Sequence, residues 1–247
     1  MAATLAATVS GVWLARDDDA SGHAAPKDVP TWSDPALVFE VFAGADSRWG
    51  DAETLARVSE AAKVWSDHGT TGARVRIVLR VRHGEGVAER DGKNAIVFRD
   101  DRWCPPGKQK REACYPDSQP ARTQTYVEGA SGQAQIVEAD IQINAVNFDW
   151  RRPPENYRGV PPAGLRSAAP PTSLSALLAH EFGHAMGLEH PCAVGWLAQR
   201  AAHLPRCESV AAEVRASTLY PLSFWSERTP PPLSLDVVAF LRRTYPL

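Results

Sequence analysis

Apolar residues recur along this chain with two periods, one suited to strands and one to helices. The run ALVFEVFA, from Ala36 to Ala43, has the aliphatic and aromatic content of a strand. Val75 to Val81 (VRIVLRV) alternates arginine with aliphatic side chains, as a half-buried strand does. Ala95 to Phe98 is a short third strand. Ile136 to Ile143 (IVEADIQI) is a fourth, and its Glu138, Asp140 and Gln142 predict one wet face. Between the first two strands, Leu55, Val58, Ala62 and Trp65 recur at three- and four-residue steps from Asp51 onward, the one-faced pattern of a helix. Ser173 reads as the N-cap of a helix over Ser175 to Met186, ended by Gly187. A last helix is predicted from Leu235 to Arg243, capped by Ser234.

The stretches between these elements carry turn chemistry. Residues 16–35 are rich in Asp, Ala, Gly and Pro and read as a flexible lead-in. Residues 100–123 are polar, hold several prolines, and read as a long surface loop. The proline-rich residues 151–172 read as irregular. No internal repeat is present. Strands dominate the first part and helices the second, with one early helix between strands, so the chain predicts a mixed α/β or α+β domain.

Composition narrows the partners. The 247 residues are 44% apolar and 23% charged, ordinary for a globular chain with a real core. A formal net charge of −2, with the arginines scattered, gives no footprint for nucleic acid. No apolar run reaches the roughly eighteen residues that span a membrane. Residues 1–15 are small and apolar and precede Asp17-Asp18-Asp19. Two readings of them stay open: the apolar region of a secretory signal, cleaved near Ala15 or Ala20, or an unstructured tail with a misassigned start.

Four cysteines fall in two close pairs, Cys104 with Cys114 and Cys192 with Cys207. Four cysteines allow three connectivities, of which two local bridges are the simplest. Both pairs lie in proline-containing, loop-like sequence, which favours disulfides over reduced thiols and an exported protein over a cytosolic one.

Residues 180 to 190 read HEFGHAMGLEH. On a helix, positions i and i+4 share one face a turn apart, so His180 and His184 present two imidazoles to one ion. Glu181 sits beside the first ligand and reaches water at the ion without ligating it. Gly187 lets the backbone leave the helix by a conformation other residues avoid, which returns His190 as a third ligand. Three protein ligands leave a fourth position open, the arrangement of a catalytic rather than a structural zinc. An amphipathic helix with coincidental histidines does not explain all five residues in register.

This segment resembles the HExxHxxGxxH pattern of the metzincin zinc metalloproteases. The wider chain resembles their matrixin branch, and secreted bacterial matrixin-like proteases are the better comparison. TWSDPALVFEVF is similar to the family's first strand, AAKVWSD to the end of its first helix, and EADIQINAVNFDW to its edge strand and following turn. SLSALLAHEFGHAMGLEH is similar to the active-site helix, STLYP stands at the Met-turn, and PLSLDVVAFLRRTYP is similar to the closing helix. The chain departs from the pattern at Leu219, which stands in place of the Met-turn methionine.

The resemblance implies an α+β, zincin-like (metzincin) domain. Its twisted, mixed but mainly parallel sheet would carry an active-site helix and a C-terminal helical subdomain. Residues 1–30 would form a leader and 31–247 the catalytic domain, with an upper part at 31–187 and a lower part at 188–247. It implies a secreted or cell-surface bacterial zinc endopeptidase, monomeric, with Glu181 as general base. A peptide substrate would lie extended along an edge strand near Gln135 to Ile143. Leu219, Tyr220, Pro221, Leu222 and Ser223 would wall the S1′ pocket, and Gly187 and Leu219 would shape the turns around the metal. Related enzymes often carry calcium or a structural zinc, which makes Asp100, Asp101, Asp140 and Asp149 candidate ligands of such a site, against solvated acidic turns as the plainer reading. The competing function is a catalytically weak zinc-binding adhesion or inhibitory protein. A zinc hydrolase acting on non-peptide amides is a further alternative. His23, His68, His83 and His203 stand apart and read as solvated.

Overall fold

A computed structural model describes residues 29–42, 51–84, 86–105, 114–130, 134–148, 150, 173–194, 204–221 and 229–247. Six strands and three longer helices make up its regular structure: β1 (Thr31–Trp32), β2 (Ala36–Phe42), α1 (Asp51–Ser66), β3 (Arg76–Arg82), β4 (Asn94–Arg99), β5 (Ala121–Glu128), β6 (Gln135–Asn144), α2 (Leu174–Ala185) and α3 (Leu235–Thr244). Short helical turns occur at His68–Thr71, Cys207–Ser209 and Ala212–Arg215. The domain is α+β, with one mostly parallel sheet.

Strands β3, β2, β4 and β6 run parallel in that spatial order, and β1 pairs in parallel with the start of β6 at Gln135 and Ile136. β5 is antiparallel to β6 and pairs with no other strand among the described residues. This corrects two expectations. The strand Gln135 to Ile143 is interior, with β5 on one side and β4 and β1 on the other. The edge belongs to Ala121–Glu128, which begins inside the stretch read as surface loop.

The wet face predicted for β6 is also dry. Glu138, Asp140 and Gln142 are 1%, 1% and 3% exposed. Backbone N–H groups of Asp91 and Gly92 donate to Glu138, that of Ala95 donates to Asp140 Oδ1, and Arg99 donates to Gln142. Neighbouring segments therefore roof this face, and hydrogen bonds to them offset the cost of burying its polar groups. The opposite face of β6 carries Ala139, Ile141 and Ile143 into the main core, with Leu37, Phe39 and Val41 of β2 and Ile96 and Phe98 of β4.

Helix α2 packs on that core. Ser173 Oγ accepts from the Ala176 N–H at 3.3 Å, the N-cap foreseen from sequence. Every residue of α2 is buried except His184, which suits a helix apolar nearly all round. Phe182 meets Phe39 edge to face at 5.3 Å, and Trp65 of α1 donates its indole N–H to Ala179 O at 2.8 Å. The far end of the chain closes on the start. Trp32 donates its N–H to the Tyr245 hydroxyl and its indole N–H to Ala185 O. No helix among the described residues is long and apolar enough to cross a membrane. The leader expectation for residues 1–30 lies outside the described residues apart from Val29 and Pro30.

Asp140 makes the roofed face sensitive to pH. Burial first, then the nearby Glu138 and Asp91 carboxylates, push its carboxyl up to about 8, although the Ala95 N–H pulls it down. Asp140 Oδ2 has no hydrogen-bond partner. A carboxyl raised in the fold favours the neutral form. Its contribution to stability is full below about pH 4 and is lost as pH rises toward about 8. Asp140→Asn should remove this part of the pH dependence. Urea midpoints measured from pH 4 to pH 9 should fall more steeply in the wild type than in the variant, and parallel profiles would contradict the assignment.

Candidate metal centre

Helix α2 places His180 and His184 one turn apart at its C-terminal end, where the chain must then reverse. Gly187 makes the reversal with φ of +83°, in the left-handed region that glycine adopts without penalty. A Cβ there would lie 2.7 Å from Pro30 O, so the close approach of the N-terminal segment also requires glycine. The Leu188 N–H closes the turn onto Gly183 O at 2.9 Å, and the chain runs on to His190.

The result is three converging imidazoles. The Nε2 atoms of His180 and His190 are 2.9 Å apart, those of His180 and His184 3.0 Å, and those of His184 and His190 3.1 Å. Among the described residues this is the one group of three or more His, Cys, Asp or Glu side chains close enough to share an ion. Asp100 and Asp101 are exposed and Asp140 is buried on the roofed face, so these calcium candidates form no such group; Asp149 lies outside the described residues. His68 and His83 are exposed, while His23 and His203 are outside the described residues.

Hydrogen bonding fixes the tautomers. His180 Nδ1 lies 2.9 Å from Thr218 O, and His184 Nδ1 lies 2.8 Å from Leu188 O. A carbonyl only accepts, so both Nδ1 atoms carry a proton, which in a neutral ring leaves Nε2 as the lone pair for a metal. Neutral rings so placed set lone pairs 3.0 Å apart, which repel unless a cation lies between them. Burial, and then His184, push the His180 imidazole down to about 3 against the pull of Thr218 O. Burial and the neighbouring His184 and His180 likewise hold His190 well below the ordinary histidine range. His180 and His190 are thus held neutral, the state in which an imidazole binds a metal. A tetrahedral zinc about 2.0–2.1 Å from each nitrogen sets ligand nitrogens about 3.3 Å apart, close to the spacing here. The donor set fits zinc.

Glu181 lies on the same helix and is 5% exposed. Burial raises its carboxyl above the ordinary carboxylate range, while His184 and the Thr123 hydroxyl pull it down. Thr123 Oγ1 donates to Glu181 Oε2 at 2.5 Å. Sequence reading missed Thr123 because residues 100–123 were assigned to a loop. The alternating, β-branched stretch ARTQTYV was the available signal.

The segment at STLYP sits beneath the helix. Leu219 is buried, and a Cβ built on Gly183 would collide with its Cδ2 and lie 3.1 Å from the Trp65 ring. The preceding residue supplies the carbonyl that orients His180. Thr218 itself is tied to Pro232 O by both its N–H and its hydroxyl, each at 3.0 Å. Tyr220 is half-buried and Pro221 buried; Leu222 and Ser223 lie outside the described residues.

Two disulfides are present, Cys104–Cys114 and Cys192–Cys207, with Cα separations of 4.0 Å and 4.9 Å. The second begins two residues after His190. It is backed by hydrogen bonds from the Ala193 N–H to Pro205 O and from the Cys207 N–H to Ala193 O.

No protein-family model matches the chain. No curated protein matches it either. Among solved structures the chain is similar to metalloproteinase-II from Bacteroides fragilis, with 14% identity, a TM-score of 0.37, and coverage of 88% of this chain and 55% of that one. The chain thus spans about half the length of that protein.

The contact between Leu219 and Gly183 gives a stability test. Gly183→Ala drives a methyl into Leu219 Cδ2 and should cost about 1–3 kcal/mol by overpacking. Leu219→Ala alone should cost about 2–5 kcal/mol. In the double variant the new methyl enters the space vacated, so the combined loss should fall short of the sum. Denaturant titrations of the four proteins measure this, and strict additivity would show that Leu219 does not lie under the helix.

Proposed function

We propose that this chain is a zinc-dependent endopeptidase of the metzincin, matrixin-like type. The observation that carries the reading is the convergence of three imidazole Nε2 atoms, 2.9 to 3.1 Å apart, beside a buried glutamate. His180, His184 and His190 hold the metal. Bound zinc supplies a Lewis acid that polarises the scissile carbonyl and lowers the pKa of water toward neutrality. Glu181 takes the proton from the attacking water and delivers it to the leaving amine. Its burial suits this exchange, because a carboxyl raised from its usual range accepts and returns a proton near neutral pH more evenly.

The peptide lies extended against β5, whose outer edge is unpaired among the described residues, and adds a strand by main-chain hydrogen bonds. This replaces the placement along Gln135 to Ile143. Leu219, Tyr220 and Pro221 wall the S1′ side. Residues 31–187 form the upper part of the catalytic domain and 188–247 the lower part. The two disulfides suit an oxidising, extracellular setting.

Glu181→Gln tests the reading. It keeps shape and one hydrogen-bonding oxygen but removes the base. Zinc content, measured by metal analysis, should stay at one per chain in both proteins, because the histidines are untouched. Cleavage of a peptide library should fall by about 10²–10⁴-fold. A wild type that binds zinc yet shows no chelator-sensitive cleavage would favour a binding protein, and equal turnover by wild type and variant would remove Glu181 from the chemistry.

A further inference from the structure

The Glu181 carboxylate has one side-chain partner among the described residues, and that partner comes from the sheet rather than from the helix. Thr123 stands on β5 directly opposite Ile141 of β6. Ile141 is fully buried in the main core, as are Ala139 and Ile143 on the same strand. A one-residue slip of β5 would turn Thr123 and the buried Ala121 to the other face of the sheet, so the pairing sets the side from which Thr123 projects. The β-branched side chain then has few rotamers to choose from. Its hydroxyl therefore reaches Glu181 Oε2 from a fixed direction, at 2.5 Å.

A glutamate on a helix has three side-chain torsions, and a base must hold its accepting oxygen steady. With Oε2 taken by Thr123, the free oxygen Oε1 is the one left for the proton. Thr123 also belongs to the strand whose outer edge receives the peptide in the reading proposed above, on which this inference rests. We infer that Thr123 is a positioning residue: it orients the Glu181 carboxylate from the substrate-receiving strand, so that peptide pairing on β5 steadies the base. The simpler role, a hydroxyl that merely satisfies a buried carboxylate, would affect stability and leave turnover alone.

Three variants separate these roles: Thr123→Val, which keeps shape and loses the hydroxyl, Thr123→Ser, which keeps the hydroxyl, and Thr123→Val combined with Glu181→Gln. The first readout needs no activity. Urea midpoints of wild type, Thr123→Val, Glu181→Gln and their double variant, with and without zinc, should show a combined loss smaller than the sum of the single losses. The second is kinetic. Thr123→Val should lower kcat about 10- to 100-fold with KM within about twofold, the signature of a misplaced base. Thr123→Ser should recover most of the lost kcat. Additive midpoints, an unchanged kcat in Thr123→Val, or a Ser variant as slow as the Val variant would each overturn the positioning role while leaving the peptidase reading in place. Absence of cleavage by the zinc-loaded wild type would instead overturn the peptidase reading and this role with it, and the midpoints would then report only whether the hydrogen bond exists.

Discussion

Two hydrogen bonds to backbone carbonyls, from His180 Nδ1 to Thr218 and from His184 Nδ1 to Leu188, orient two of the three imidazoles of the site. Each places a proton on the outer nitrogen and turns the inner one toward the other imidazoles. Both carbonyls follow these histidines in sequence, one close by and one distant. Leu188 lies just past the helix, delivered by the Gly187 reversal. Thr218 lies far along the chain and is held by its own bonds to Pro232. The site thus depends on α2 meeting the 217–221 turn at a fixed height. The glycine at 183 is what permits it, because any larger residue would lift the helix off Leu219. Packing and protonation are consequently one constraint.

The sheet imposes a second constraint from the other side. β5 is at the edge and antiparallel, so its backbone can pair outward while its inner side chains meet α2. Thr123 is the point where those two relations join. An interior strand could not serve, because β6 has both its edges taken. Exposed edges invite unwanted pairing, and proteins usually blunt them. An edge open among the described residues beside three converging imidazoles suits the substrate strand proposed above.

Much of the site was legible in sequence because its geometry is local. His180, Glu181 and His184 share a helix, so spacing alone places them on one face, and Gly187 announces the reversal that returns His190. Ser173 and Ser234 capped their helices as the hydroxyl pattern predicted. What was not legible depended on distant segments. Glu138, Asp140 and Gln142 look solvent-facing from their alternation, yet backbone from residues 91–95 and the Arg99 side chain cover them. Polar alternation reports a strand; it does not report whether a loop will roof the polar side. β5 was hidden for a related reason. Its residues Arg122, Thr123, Gln124 and Thr125 are polar and follow a proline- and cysteine-containing stretch, so composition argued for a loop. Thr123 and Thr218, which touch Glu181 and His180, have no sequence spacing to either partner that could mark them.

The division of labour between rigid and tethered ligands follows from this layout. Two ligands ride on a helix buried along nearly its whole length, so their spacing is settled when the core forms. The third, His190, lies past the helix, where backbone conformational entropy would otherwise separate it from its partners. Three devices limit that freedom: the Gly187 turn bonded back to Gly183, the Cys192–Cys207 bridge two residues on, and the hydrogen bonds between Ala193 and residues 205–207. A site assembled during folding would cost little reorganisation on binding an ion, and in the reading proposed above a ligand held from both ends would stay in place when the substrate edge is occupied. The cysteine pair that sequence alone could assign only to stability therefore bears on the metal as well. It confines the one ligand that the helix does not.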